Sequence, residues 1–188
     1  KIVFIGRMVR NHKRPHLLIE AFIKIAAEFP DWTLELWGAE DNKRYQKDLQ
    51  TMIDAAGLTE RILFCGTTTN VPAVLVDADL YVMPSAYEGF GLSLAEGMSM
   101  GLPAIGYRSC VAVNELICDG ENGFLVGDGV EPLAEKMALL MRDRTLRVKM
   151  GAAARESMRT YAPEIIWAQW EELMRDVVLR TISEQRRR

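Results

Sequence analysis

The sequence is poor in cysteine, histidine and unbroken apolar stretches, and it has no excess of positive charge. Its three cysteines, Cys65, Cys110 and Cys118, are odd in number and form no CxxC pair. That excludes a disulfide framework and a zinc site of the usual spacing. They read as reduced, mostly buried thiols, which points to a cytoplasmic protein. No apolar run reaches the roughly 18 residues that a membrane span needs, and the opening residues do not read as a secretory leader. With 23 Lys and Arg against 26 Asp and Glu, the net charge is −3. This argues against a nucleic-acid partner, whose binding surface would carry a clustered basic excess. The one basic run, Arg186 to Arg188 at the end, is expected to be a solvated, frayed terminus because like charges repel.

What is present is an ordinary globular composition, 49% apolar and 26% charged over 188 residues, enough for one domain with an ample core. The chain opens directly on the strand-like KIVFIG without an initiator methionine. It is therefore expected to begin at a domain boundary inside a longer protein. Short apolar, β-rich runs recur at 1–6, 33–38, 62–66, 80–85, 103–107 and 123–127. They are continuously apolar rather than alternating, which is how strands covered on both faces of a parallel sheet read.

Helix-like segments lie between these runs. In 14–29, Leu17, Leu18, Ala21, Phe22, Ile25 and Ala26 form one stripe, with Pro15 suited to a first turn. In 42–57, Leu49, Met52, Ile53 and Ala56 do the same, and Gly57 supplies a stop. This alternation predicts an α/β fold, a Rossmann-like doubly wound parallel sheet of about six strands with right-handed crossovers. Additional C-terminal helices follow residue 128. The last, at about 163–185, carries Ile166, Trp170, Leu173 and Val177 on one face, a stripe assigned to packing.

In open α/β sheets, ligands bind beyond the carboxyl ends of the strands. The loop after the fourth strand reads SAYEGFGLSLAEG. Its Gly89 and Gly91 allow close backbone approach at a helix N-terminus, whose free amides and dipole attract an anion such as a diphosphate. Glu88 and Glu96 stand eight residues apart, about 12 Å if helical. That exceeds the roughly 5–9.5 Å at which paired carboxylates cleave a glycosidic bond directly. The spacing suits a long ligand gripped by hydroxyls at both ends. Arg7 and Lys13, in the loop after the first strand, supply cations for the diphosphate and for its departure as a leaving group. A nucleotide sugar satisfies all of these requirements.

With those residues in place, EGFGLSLAE resembles the E-x7-E motif of the retaining GT-B glycosyltransferases of the large family four (group 1). GR…K, GLP and NELI.DGENGFLV resemble further landmarks of that family in the same order. The resemblance covers essentially all 188 residues and implies the C-terminal, nucleotide-sugar-binding domain. It implies that Glu96 binds the ribose and Glu88 the transferred sugar. It also implies that Arg7 and Lys13 hold the diphosphate, together with Gly6 and the backbone of Gly89, Phe90, Gly91 and Leu92. Thr67 and Thr68 face the base. No cofactor or metal is expected; the donor substrate, a UDP-sugar, takes that place. The expected partners are this donor and the N-terminal GT-B domain of the same enzyme, which would mediate any peripheral membrane association and toward which the last helix would pack. The isolated chain is expected to be inactive as a hexosyltransferase.

Three departures from the family pattern stand out. Arg14 follows the lysine where many relatives have Gly, Gly97 follows the second glutamate where many have Ala, and Val113 and Asn114 occupy a Gly-Gly-Pro region. Glu115 is expected to order a helix start. His12 and His16 flank the basic loop and are expected at its surface. Two rivals share this architecture, a non-catalytic nucleotide-sugar-binding module and a sugar-nucleotide epimerase.

Overall fold

Ile2, Val3, Phe4, Leu80, Val82, Ala104 and Ile105 are fully buried, so the runs without alternation are strands covered on both faces. The computed structural model describes residues 1–185, with side chains through 178, and the closing arginine run lies outside the described residues. The strands are β1 (Ile2–Ile5), β2 (Leu34–Trp37), β3 (Ile62–Gly66), β4 (Leu80–Met83), β5 (Ala104–Tyr107) and β6 (Gly123–Val126). The helices are α1 (Pro15–Ile25), α2 (Lys43–Ala55), α3 (Val71–Leu75), α4 (Leu92–Ser99), α5 (Val111–Leu116), α6 (Val130–Arg142), α7 (Arg144–Ser157) and α8 (Pro163–Gln185).

All six strands pair in parallel, in the order β3-β2-β1-β4-β5-β6. This is the expected doubly wound sheet. Because the order reverses at β1 and β4, right-handed crossovers send the helices after β1 and β2 to one face and those after β4 and β5 to the other. Accordingly, α1 packs against α2 and α6, while α4 packs against α3 and α7. The fourth apolar run pairs only as far as Met83, since Pro84 has no N–H to continue a ladder.

Pro15 opens α1, and Leu18, Ile19, Ala21, Phe22 and Ile25 form its buried stripe. Ile19 is buried where Leu17 was expected, and Leu17 is only partly covered. Helix α2 buries Tyr45, Leu49 and Ile53 and stops before Gly57, whose φ is +67°. The cysteines divide: Cys110 is buried, Cys65 half-buried and Cys118 exposed. The expectation of mostly buried thiols fails at Cys118, which lies in the turn between α5 and β6, where the chain reverses at the surface.

Residues 1–157 form one compact unit, and a second begins at Met158 and contains α8. On α8, Trp170, Leu173 and Val177 are exposed, as are Trp167 and Met174. Among the described residues, no helix is long and apolar enough to cross a membrane.

Candidate functional site

The carboxyl ends of β1 and β4 meet at the switch point of the sheet, and the loops after them carry the predicted groups. Gly91 caps α4 with φ 85° and ψ 46°, a left-handed geometry open to glycine and costly for other residues. It lets the chain turn from loop to helix within one residue, leaving the first helical amides without intrahelical carbonyls. Two hydroxyls fix this helix start: Ser93 Oγ donates to the Ile5 carbonyl at 3.0 Å, and Tyr81 Oη donates to the same carbonyl at 3.3 Å. Complete burial pushes the Tyr81 phenol far above its usual range, so it remains a neutral donor.

The departure at Gly97 has its cause here. A methyl at that position would lie 2.6 Å from Cδ2 of Tyr81. The ring that reaches across to β1 therefore occupies the space that alanine would need.

The loop between β1 and α1 brings the first cation to this helix start. Lys13 Nζ donates to Glu88 Oε1 at 2.6 Å, with 22% and 10% of the two side chains exposed. Gly6 makes the path: a Cβ there would lie 3.3 Å from the Lys13 stem and 3.1 Å from the Phe4 ring. A second tie between the loops is the amide of Ala86, which donates to the His12 carbonyl at 2.7 Å. Lys13, Glu88 and Gly6 thus converge, while Gly89, Phe90 and Leu92 lie on the exposed side of the turn that Gly91 ends.

The remaining predicted residues are arranged more loosely. Glu96 is half-buried on the second turn of α4, and among the described residues its carboxylate has no hydrogen-bond or ion-pair partner. Arg7 is 71% exposed and lies 3.8 Å from Asp41, a distance and exposure at which an ion pair contributes little. Thr67 is exposed and lines an open crevice of about 400 Å³ with Met8, Gly38, Phe64 and Gly66. Thr68 is held by its own turn, its hydroxyl accepting from the Asn70 amide at 2.9 Å. A larger depression of about 450 Å³ lies between the loops after β1 and β2, with Arg10 and Arg44 facing Asp41 and Asp48. Among the described residues no three His, Cys, Asp or Glu side chains converge as metal ligands.

Sequence reasoning missed several supporting groups. Among the described residues, the buried Gln46 amide oxygen beside the crevice has no hydrogen-bond partner. Nothing in the periodicity of α2 singles that residue out. His16 does have a partner, with its Nδ1 2.8 Å from the Tyr45 hydroxyl. Burial, aided by Arg10 and Arg14, lowers its pKa. His12 packs edge-on against Tyr87 at 6.2 Å. Glu115 is exposed near the end of α5 rather than at its start, because the helix begins at Val111 and is only six residues long. Val113 is fully buried and fills the space left by Gly106, and Asn114 Nδ2 donates to the Arg108 carbonyl at 2.9 Å.

Comparison with known proteins identifies the family and the fold. The model of the family described as glycosyl transferases group 1 matches residues 1–157. Among curated relatives, N-acetyl-alpha-D-glucosaminyl L-malate synthase of Bacillus anthracis is 36% identical over 172 residues, covering 90% of this chain and 44% of its own. A TarM variant from S. aureus, crystallised with fondaparinux, alpha-GlcNAc-glycerol and UDP, superposes with a TM-score of 0.82 at 29% identity, covering 92% of this chain and 34% of its own. The C-terminal domain of the group 1 protein LpcC from Francisella tularensis gives 0.78 at 31% identity, covering 85% of this chain and 84% of its own. The chain spans less than half the length of the curated relatives it matches. A switch-point site on a six-stranded parallel sheet, with this match and these neighbours, makes the chain a member of the glycosyl transferases group 1 family, corresponding to the C-terminal domain of its GT-B fold.

Proposed function

We propose that this chain is the donor-binding half of a retaining glycosyltransferase that moves a hexose from a nucleoside-diphosphate sugar to a glycan, lipid-linked or other acceptor. The observation that carries the reading is Lys13 paired with Glu88 at 2.6 Å beside the start of α4. A cation, a carboxylate and free helix amides meet at the switch point, and a diphosphate bonded to a sugar needs one of each.

In this reading the diphosphate lies against the first amides of α4. Lys13 and Arg7 neutralise the charge that grows on it as the bond from sugar C1 to the phosphate oxygen breaks. Glu88, already beside Lys13, receives sugar hydroxyls, and the unpaired carboxylate of Glu96 accepts from the ribose hydroxyls. The base lies along Thr67 and Thr68 in the crevice of Met8, Phe64 and Gly66. The side-chain cations serve the leaving group, so the scheme requires no metal. UDP is the proposed nucleotide, supported by its presence in the TarM complex.

The acceptor and the remaining catalytic groups belong to a second, N-terminal domain, the proposed partner. Closure between the two domains would exclude water from the reaction. The 188 residues alone are proposed to bind donor without transferring sugar, and the proposed location is cytoplasmic.

The two glutamates test the assignment. Glu96→Ala should weaken UDP binding about tenfold or more, the usual scale for a hydrogen bond to a charged group. Glu88→Ala should leave UDP binding unchanged or tighter, because it frees the Lys13 ammonium, and should impair only sugar-dependent affinity. Equal losses for UDP in both variants would overturn the division of labour.

A further inference from the structure

Arg14 is the only non-glycine residue among those described with a positive φ, at φ 49° and ψ 44°. An L side chain is disfavoured there and glycine is not. The arginine must therefore gain something that glycine cannot provide.

Its guanidinium shows what that is. Nε donates to the Pro84 carbonyl at 2.9 Å, and Nη2 donates to the Ser85 carbonyl at 3.0 Å and approaches Asp128 Oδ1 at 3.5 Å. The plane lies 4.7 Å over the ring of Tyr107. Tyr107 is itself fixed by donating to the Gly129 carbonyl at 2.8 Å. Burial outweighs the pull of Arg14 on that phenol, whose pKa is pushed up to about 12. The Arg14 side chain is only 18% exposed.

Pro84 and Ser85 are the last residues before the loop that carries Glu88 and Gly91. Ser85 is completely buried, yet among the described residues its hydroxyl has no hydrogen-bond partner. It is held instead through its main chain, by Arg14 at its carbonyl. Lys13, one residue before Arg14, reaches Glu88 in that same loop.

We propose that Arg14 is a positioning residue that fixes Lys13 against the 84–91 loop, using two main-chain carbonyls as its anchor points. The proposal rests on the donor-site reading above, in which Lys13 meets the diphosphate. Arg14 touches no substrate in it. Its contribution is to hold one wall of the site at the distance that the ammonium of Lys13 must span.

The test is a double-mutant cycle on UDP binding by the 188-residue chain, with GDP and ADP titrated in parallel. Arg14→Gly keeps the backbone geometry accessible and removes the clamp, so the variant should fold, and circular dichroism checks this. It should bind UDP about tenfold more weakly than wild type, whereas the same change in a Lys13→Ala background should cost less than about twofold. Arg14→Lys, with one donor group in place of the fork, should fall between wild type and Arg14→Gly.

Equal losses in both backgrounds, or unchanged binding by Arg14→Gly, would overturn the proposal. If Arg14→Gly fails to fold, Arg14→Lys carries the same comparison, and a loss independent of Lys13 there overturns it as well. Wild-type protein that binds none of the three nucleotides would instead overturn the donor-site reading, a different and prior failure.

Discussion

The two ends of the site are built in different ways. At the β4 end, Lys13 and Glu88 are paired, largely covered and tied to the strand ends by Arg14 and by the Ala86 amide. Toward β3, Thr67 borders an open crevice, and Arg7, in the loop after β1, is exposed. One end is cross-linked by its own side chains, while the other offers surfaces and single groups. On the proposed donor-site reading, the difference follows from what each would bind. A diphosphate needs charges held against mutual desolvation, and those persist only when neutralised in advance. In the same reading a base needs mainly shape, which an open crevice can supply.

The comparison predicts that loss of the Lys13 cation will matter most for UDP binding. Lys13→Ala should weaken UDP binding about thirtyfold, within the range for a charge-assisted contact whose carboxylate partner is left behind, and should hardly change uridine binding. Calorimetry with the two ligands separates these outcomes. Similar losses for both would move Lys13 off the phosphates.

The support beneath α4 ranks second. Gly97→Ala should destabilise the chain by about 1–2 kcal/mol in urea unfolding, because the clash with Tyr81 exceeds the gain in helix propensity. Adding Tyr81→Leu should recover part of that loss by clearing the space, though it removes the hydroxyl from Ile5. No recovery would mean that the ring does not set the choice of glycine.

The smallest effect belongs to the open end. Arg7→Ala should reduce UDP affinity less than about threefold, and the difference should vanish at high salt, since an exposed charge is readily screened. A loss as large as that of Lys13→Ala would erase the contrast between the two ends and imply that Arg7 closes onto the ligand.

Much of this was legible in the sequence, for identifiable reasons. Strands buried on both faces write continuous apolar runs, so KIVFIG and LYVMPS marked β1 and β4, while the strand order that makes them the switch point came from the structure. Glycines at the turn into α4 and the two glutamates around them carried the chemistry in local order. What stayed hidden depends on contacts between segments distant in the chain. Arg14 looked like a mere departure from glycine, because its φ and its carbonyl partners some seventy residues away leave no mark on periodicity. Gly97 likewise made sense only once Tyr81 was seen lying across it. Glu115 was misplaced because helix boundaries are the weakest part of any pattern reading, and α5 starts at Val111.

The most direct test of the central claim is calorimetric titration of the wild-type chain with UDP, GDP and ADP and with the three matching nucleosides. A donor-binding half predicts that at least one diphosphate binds, and that its nucleoside binds at least about tenfold more weakly, because Lys13 and the amides of α4 act on phosphate alone. Absence of binding by all three diphosphates, or nucleosides binding as well as their diphosphates, would contradict it.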